Sequence, residues 1–202
     1  MQRILRAHLV LVLAIAAGIF VAFSVPFVTE GQSIMDSQLF NGAKSGYTLK
    51  VPTNWNTYES EYTTLKGGKI SRVLLTQITD LVSRPTKYFL MSVGTPEAIF
   101  GVNNKVIQRV NNDQLVDFYI DQMVNSSVDY RVANTRTVGS GADKIYVIDA
   151  SYAVPGNRFI TKVYFQFKNG KTYLWSLTYR DSFANYAPTL QSVADSVQIR
   201  AL

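Results

Sequence analysis

The chain is 202 residues long, with 20 Lys and Arg against 14 Asp and Glu, a formal net charge of +6, no cysteine and one histidine, His8. The missing cysteines exclude a lipid-bearing cysteine, disulfides and Cys/His zinc sites, and a lone histidine in the N-terminal segment excludes nucleophilic triads with histidine as base. Setting aside Arg3 and Arg6 leaves 18 basic against 14 acidic residues, a bias nowhere gathered into a run, which suits an anionic surface as partner and indicates no nucleic acid.

Residues 1 to 28 read as a signal peptide or an N-terminal membrane anchor. Arg3 and Arg6 form a positive start, Leu9 to Phe23 is an uncharged apolar run of 15 residues, and Ala22-Phe23-Ser24 is a small-x-small cleavage site. The uncharged stretch continues to Val28, 20 residues in all, enough to span a bilayer. Cleaved or retained, the segment predicts export of the domain C-terminal to it. Residues 29 to 45 are polar and read as a linker or a tail that orders on a partner.

The domain is expected over residues 46 to 202. Tyr47, Leu49 and Val51 alternate with Thr48 and Lys50, Pro52 stops that strand, and Trp55 is a lid over its end. Tyr58 to Leu65 and Lys69 to Thr79 flank Lys66-Gly67-Gly68 as a hairpin, and Thr86 to Val93 is a further strand. Glu97 to Arg109 reads as an irregular loop with one helical turn, long enough to be functional.

Asn112 to Ser126 is the best helix, capped by Asn111 with Gln114 three residues on. Leu115, Val116, Phe118, Tyr119, Ile120, Met123 and Val124 make its broad apolar face. Asp113, Asp117 and Asp121 recur every four residues as a stripe on the other side. A helix rises about 6 Å over four residues, so three such carboxylates diverge, and a solvated face is the plainer reading. Its competitor is a divalent-ion site; with only oxygen ligands on offer, the candidates are calcium, magnesium and manganese.

Asp129 to Val138 is a strand, and Gly139-Ser140-Gly141-Ala142 turns the chain into an antiparallel core. Lys144 to Val154, Arg158 to Lys168 and Lys171 to Arg180 are joined by Pro155-Gly156-Asn157 and by Asn169-Gly170, the strongest short hairpin signal. That two-residue turn sets Lys168 against Lys171, Phe165 against Leu174, Tyr164 against Trp175 and Lys162 against Leu177. Val163, Phe165, Phe167 and Leu174 then share one face, and Tyr164, Tyr173, Trp175 and Leu177 the other. A sheet apolar on both sides is covered on both sides; the competing reading is an aromatic stacking platform for nucleic acid. Tyr186, Leu190, Val193 and Val197, with Pro188 in a first turn, predict a helix laid on the sheet, before a last strand from Val197 to Ala201. With two helices available for two greasy faces, the expected class is α+β: an α/β/α sandwich around a central antiparallel sheet.

The succession of Tyr47 to Pro52 with Trp55, the mid-chain helix, Asp143 to Asp149, Phe159 to Phe167, Asn169-Gly170-Lys171-Thr172-Tyr173 and Asp195-Ser196-Val197-Gln198-Ile199 resembles the PsbP family from Gly46 to Ile199. The resemblance implies an α/β/α sandwich. It also implies an extrinsic protein on the lumenal side of thylakoid membranes, associated with photosystem II and its oxygen-evolving calcium and chloride cofactors, or with assembly of a photosystem or NDH complex.

No Gly-x-Ser-x-Gly elbow, Ser-x-x-Lys motif, Walker loop or Gly-x-Gly-x-x-Gly occurs, so the expectation is a protein that is not an enzyme. Asp149 reads as a semi-buried hydrogen-bond acceptor. The expected role is an accessory protein of the thylakoid lumen or periplasm docking on a membrane complex, through Lys66, Lys69 and Arg72 in the early hairpin and Lys105 and Arg109 in the long loop. The alternatives are an envelope module for a small ligand or divalent cation, and a hydrolase without histidine.

Overall fold

The computed structural model describes residues 37–42, 45–65, 68–77 and 86–200. In chain order these form β1 (Ser37–Gly42), β2 (Tyr47–Pro52), β3 (Asn56–Thr63), β4 (Lys69–Thr76), β5 (Lys87–Gly94), α1 (Pro96–Phe100), α2 (Asn104–Ile107), α3 (Asn112–Ser126), β6 (Arg131–Val138), β7 (Ile145–Val154), β8 (Asn157–Lys168), β9 (Lys171–Arg180), α4 (Ala187–Asp195) and β10 (Gln198–Ile199). The segment expected as a signal or anchor lies outside the described residues. Among those described, no helix is long and apolar enough to cross a membrane.

The Asn169-Gly170 turn takes φ of 54° and 70°, the positive pair a type I′ hairpin requires. It sets all four expected pairs, Lys168 with Lys171, Phe165 with Leu174, Tyr164 with Trp175 and Lys162 with Leu177. Around this hairpin a seven-stranded antiparallel sheet is ordered β3-β4-β5-β9-β8-β7-β6. Both faces of its central strands are buried, while the edge strands β3 and β6 are largely exposed. Tyr164, Tyr173, Trp175 and Leu177 belong to one apolar cluster, while Val163 and Phe165 belong to a second. The aromatic rows are therefore core, and no stacking platform is left open.

The expected α/β/α sandwich is not what forms. Strands take 51% of the described residues and helices 28%, in two antiparallel sheets. The difference lies at β2, which leaves the main sheet and pairs with β1 on one side and β10 on the other. Its alternating Tyr47, Leu49 and Val51, each no more than 2% exposed, press onto the Tyr173 and Trp175 face beside Leu190 and Val193 of α4. A half-apolar strand hides its greasy side equally well on a sheet face or within a sheet, and here sheet-on-sheet packing wins. Ser37–Gly42, within the polar stretch before Gly46, is strand β1, where Phe40 packs 6.2 Å from Tyr47. Trp55 is 5% exposed in the same cluster, closing the end of β2.

The opposite face carries α1, α2 and α3. The α3 capping box is complete, with Asn111 Oδ1 accepting from the Gln114 amide and Gln114 Oε1 accepting from the Asn111 amide, each at 2.9 Å. Leu115 and Val116 are buried, and the Tyr119 ring stands edge-on to Phe165 at 4.9 Å. Phe118 and Val124 are 37% and 48% exposed, so the buried stripe is narrower than the seven apolar residues suggested. Glu97 to Arg109 is more regular than expected. Thr95 caps α1 with Pro96 in its first turn, and Asn103 caps α2.

Candidate functional site

Strand register collects the turns of the large sheet. The pairs Thr63 with Lys69, Ile70 with Gly94, Gly94 with Thr172, Lys168 with Lys171, Ile145 with Gln166 and Val138 with Ile145 line up one end of it. The tip of the β3–β4 hairpin rests on α1, close enough that a Cβ on Gly68 would lie 2.7 Å from the Ala98 Cβ. The chain from Gly94 through α1 and α2 returns to the same end, because Asp113 at the start of α3 meets Lys144 Nζ at 2.9 Å. Lys105 and Arg109, held between these two anchors, are exposed there.

Six basic residues thus gather on one end: Lys69, Lys105, Arg109, Lys144, Lys168 and Lys171. Three are matched, Lys69 by Glu61 at 3.4 Å, Lys144 by Asp113 at 2.9 Å and Lys168 by Asp143 at 2.8 Å. Lys105, Arg109 and Lys171 have no ion pair among the described residues. Lys105 and Arg109 are exposed and Lys171 is half-buried, and Glu97 of α1, likewise without an ion pair among the described residues, lies at the same end, so the end carries an excess of positive charge, the form of charge that steers an anionic partner.

Of the residues read from the sequence, Lys69, Lys105 and Arg109 come together here. Arg72 does not. It is 9% exposed, with its guanidinium 4.8 Å from the Tyr62 ring and Nη2 donating to Tyr62 Oη at 2.8 Å. Its position on β4 turns it toward the sheet face, where an aromatic partner shields it. Lys66 lies outside the described residues. Lys144, Lys168 and Lys171 were missed, although the Asn169-Gly170 register already placed Lys168 opposite Lys171.

The acidic stripe on α3 stays a row rather than a cluster. Among the described residues no group of three or more carboxylate, histidine or cysteine side chains lies close enough to hold an ion. Asp113 has a role of its own: a hydrogen bond from Tyr146, then one from Lys144, hold its carboxyl below the ordinary range, while its own hydrogen bond chiefly raises Lys144. Both groups are open to solvent, so the link is weak and pH-dependent. A lowered carboxyl pKa adds stability present above the unfolded value of 3.8, lost as pH falls through the folded value; a raised lysine pKa adds stability lost only as pH rises above 10.5. Asp113→Asn is expected to lower the melting temperature slightly at pH 7, with the gap to the parent closing as pH falls below 3.8 through the lowered folded value. A gap that persists at pH 2 would show that the carboxylate charge is not what Lys144 reads.

Asp149 accepts from Arg136 Nη1 and lies 3.6 Å from Lys162 Nζ. Lys162 also donates to Gln191 Oε1 at 2.8 Å, and Gln191 Nε2 donates to Tyr164 Oη at 2.8 Å and Asp195 Oδ1 at 2.7 Å. This chain of bonds fastens α4 to the sheet. Burial pushes the Tyr164 phenol up to about 12, so it stays a neutral partner for Gln191. Asp143 is likewise paired, with Lys168 at 2.8 Å.

The solution structure of cyanobacterial PsbP from Synechocystis sp. PCC 6803 superposes with a TM-score of 0.57 at 12% identity, over 86% of this chain and 98% of that one. The fold is PsbP-like. A protein of unknown function from Pseudomonas aeruginosa, described as a putative regulator, matches at a TM-score of 0.48 and 9% identity, over 82% of this chain and 99% of its own. LpqN, involved in cell envelope biogenesis of Mycobacterium tuberculosis, matches at 0.41 and 12%, over 82% of this chain and 91% of its own. No family model matches the chain, and no curated protein matches it.

Proposed function

We propose that this protein is a non-enzymatic extracytoplasmic accessory protein, which docks by the basic end of its PsbP-like domain on the acidic face of a membrane protein complex. The observation that carries the reading is the meeting of Lys105, Arg109 and Lys171 on one end of the sheet, none of them in an ion pair among the described residues. The apolar, positively started N-terminal segment supports export, and the PsbP-like fold supports a photosystem as the complex docked upon.

Exposed charges acting across a wet contact are screened within about 8 Å at physiological ionic strength, so such docking weakens with salt. The protein is expected to sediment with the membranes of its source at low salt, to be released by about 1 M sodium chloride, where screening shortens to about 3 Å, and to crosslink to a membrane-complex subunit. Recovery as free monomer at low salt, with no subunit crosslinked, would sink the reading.

A further inference from the structure

The two edges of the seven-stranded sheet, β3 and β6, are unlike. On β3, Glu59, Ser60 and Glu61 are exposed. A second β3 laid antiparallel about Ser60 sets Glu59 against Glu61 twice, and like charges directly opposed repel. Charge of this kind guards a bare edge against pairing. On β6, seven of eight residues are exposed, Val138 among them at 53%. That strand holds neither lysine nor proline. Its two arginines are already neutralised within the chain, Arg131 by Asp129 at 2.7 Å and Arg136 by Asp149.

The turn between β7 and β8 fixes which backbone groups of β6 face outward. Val154 pairs with Asn157 around Pro155-Gly156, with Gly156 at φ 79°, so a type II turn closes on a hydrogen-bonded pair. Bonded pairs recur at every second residue, so Val154, Tyr152, Ala150 and Ile148 bond to β8 and the residues between them bond toward β6. Ala153 keeps that phase, its amide donating to the Val128 carbonyl at 3.0 Å. Across the β6–β7 register Asn134, Arg136 and Val138 meet Asp149, Val147 and Ile145, and so bond inward. The amides and carbonyls of Thr135 and Thr137 are turned outward, with no hydrogen-bond partner among the described residues.

We propose that the β6 edge is the contact between two copies of this chain, which join antiparallel about Thr135 into one continuous sheet. The sequence of the strand is close to self-complementary in that register. Thr135 meets its own copy, Arg136 meets Asn134, Thr137 meets Ala133 and Val138 meets Val132. A threonine pair, a donor beside an amide and an apolar pair are all favourable cross-strand neighbours, and no like charges are opposed. Centring the pair on Arg136 instead sets two guanidinium groups face to face. The bulge between Val132 and Asn134 lies near the start of the strand and leaves Asn134 to Val138 in regular register. The contact is isologous, as a two-fold dimer requires. Because the strands run antiparallel, the two basic ends lie at opposite ends of the joined sheet, so their charges do not meet. Docking at that end uses other residues.

The chain contains no cysteine, so one introduced thiol reports the contact without background. The test oxidises the full-length Thr135→Cys variant with copper phenanthroline and reads dimer on a non-reducing gel, with Ser60→Cys on the β3 edge as the control. Thr135→Cys is expected to crosslink about tenfold faster than Ser60→Cys or more, since opposed Cβ atoms of paired strands lie about 5 Å apart. Ala133→Cys mixed with Thr137→Cys is expected to give the mixed dimer ahead of either homodimer, which checks the register independently. Light scattering is expected to give a dimer mass for the parent and a monomer mass for Thr135→Lys, where two ammonium groups meet on the axis. The melting temperature of the monomer variant is expected to stay near that of the parent at low concentration, because position 135 is exposed. Equal crosslinking at Ser60 and Thr135 overturns the proposal, as does a dimer mass that survives Thr135→Lys. A monomeric parent whose Thr135→Cys variant crosslinks to a different polypeptide also overturns it, since an extended segment of that partner is then the occupant. No membrane is present in these measurements, so their failure is distinct from a failure of docking at the basic end.

Discussion

Phe165→Ala is expected to cost about 3 to 5 kcal/mol of folding stability, the range for removing a buried aromatic ring from a packed core. Phe165 is fully buried and stands at the centre of the helix-covered face. Its ring stacks on Phe100 of α1 at 5.8 Å and on Phe167 at 6.4 Å, and receives the edge of Tyr119 from α3 at 4.9 Å. One truncation thus loosens both helical segments from the sheet at once. Urea unfolding is the measurement. A loss under about 1 kcal/mol would mean that the face collapses freely around the gap, and so is not packed by these rings.

The charge-reversed triple variant Lys105→Glu, Arg109→Glu, Lys171→Glu is expected to lose membrane association by about tenfold or more while keeping its melting temperature within a few degrees. Each exposed opposite-charge contact is worth roughly 0.2 to 1 kcal/mol, and reversal replaces attraction by repulsion, so three together amount to about 1 to 3 kcal/mol. Because none of the three is ion-paired among the described residues, little folding stability goes with them. Sedimentation with membranes over a salt series separates the outcomes. A variant that binds as the parent does, with the same salt dependence, removes this end as the docking surface. The Arg72→Gln variant is the contrast, since Arg72 is committed to Tyr62 inside the fold and its loss is expected to act on stability instead.

Much of the local architecture was legible from short stretches of chain. Asn169-Gly170 demands positive φ at both positions, and that requirement acts whatever surrounds it, so turn, register and the two aromatic rows could all be read before any tertiary contact. Asn111 with Gln114 marked the start of α3 for the same reason, since both bonds of the box span only three residues. The two short helices before it carried signals as well, Thr95 before Pro96 and Asn103 before Asn104, but weak apolar periodicity hid them.

The basic end was half legible. Lys105 and Arg109 were named by exposure and charge in a long loop, while Lys144, Lys168 and Lys171 needed the line-up of five ladders to be seen as their neighbours. Arg72 was misplaced because a strand residue alternates between two faces, and only the sheet's neighbours decide which face is wet.

Taken alone, the sequence determined the strand hairpin, the principal helix, the two-sided greasy sheet and the exclusion of histidine and cysteine chemistry. Each of these arises from contacts a few residues apart or from composition. Only the tertiary structure decided that β2 forms a second sheet with β1 and β10 in place of a mainly helical cover, that β5 inserts between β4 and β9, and that Lys87 is enclosed beneath the Phe183 and Tyr186 rings. Those outcomes depend on competition between distant surfaces for the same apolar rows. The period of two in Tyr47, Leu49 and Val51 says that one side must be buried, but the partner is chosen by whichever face of the folded sheet remains uncovered.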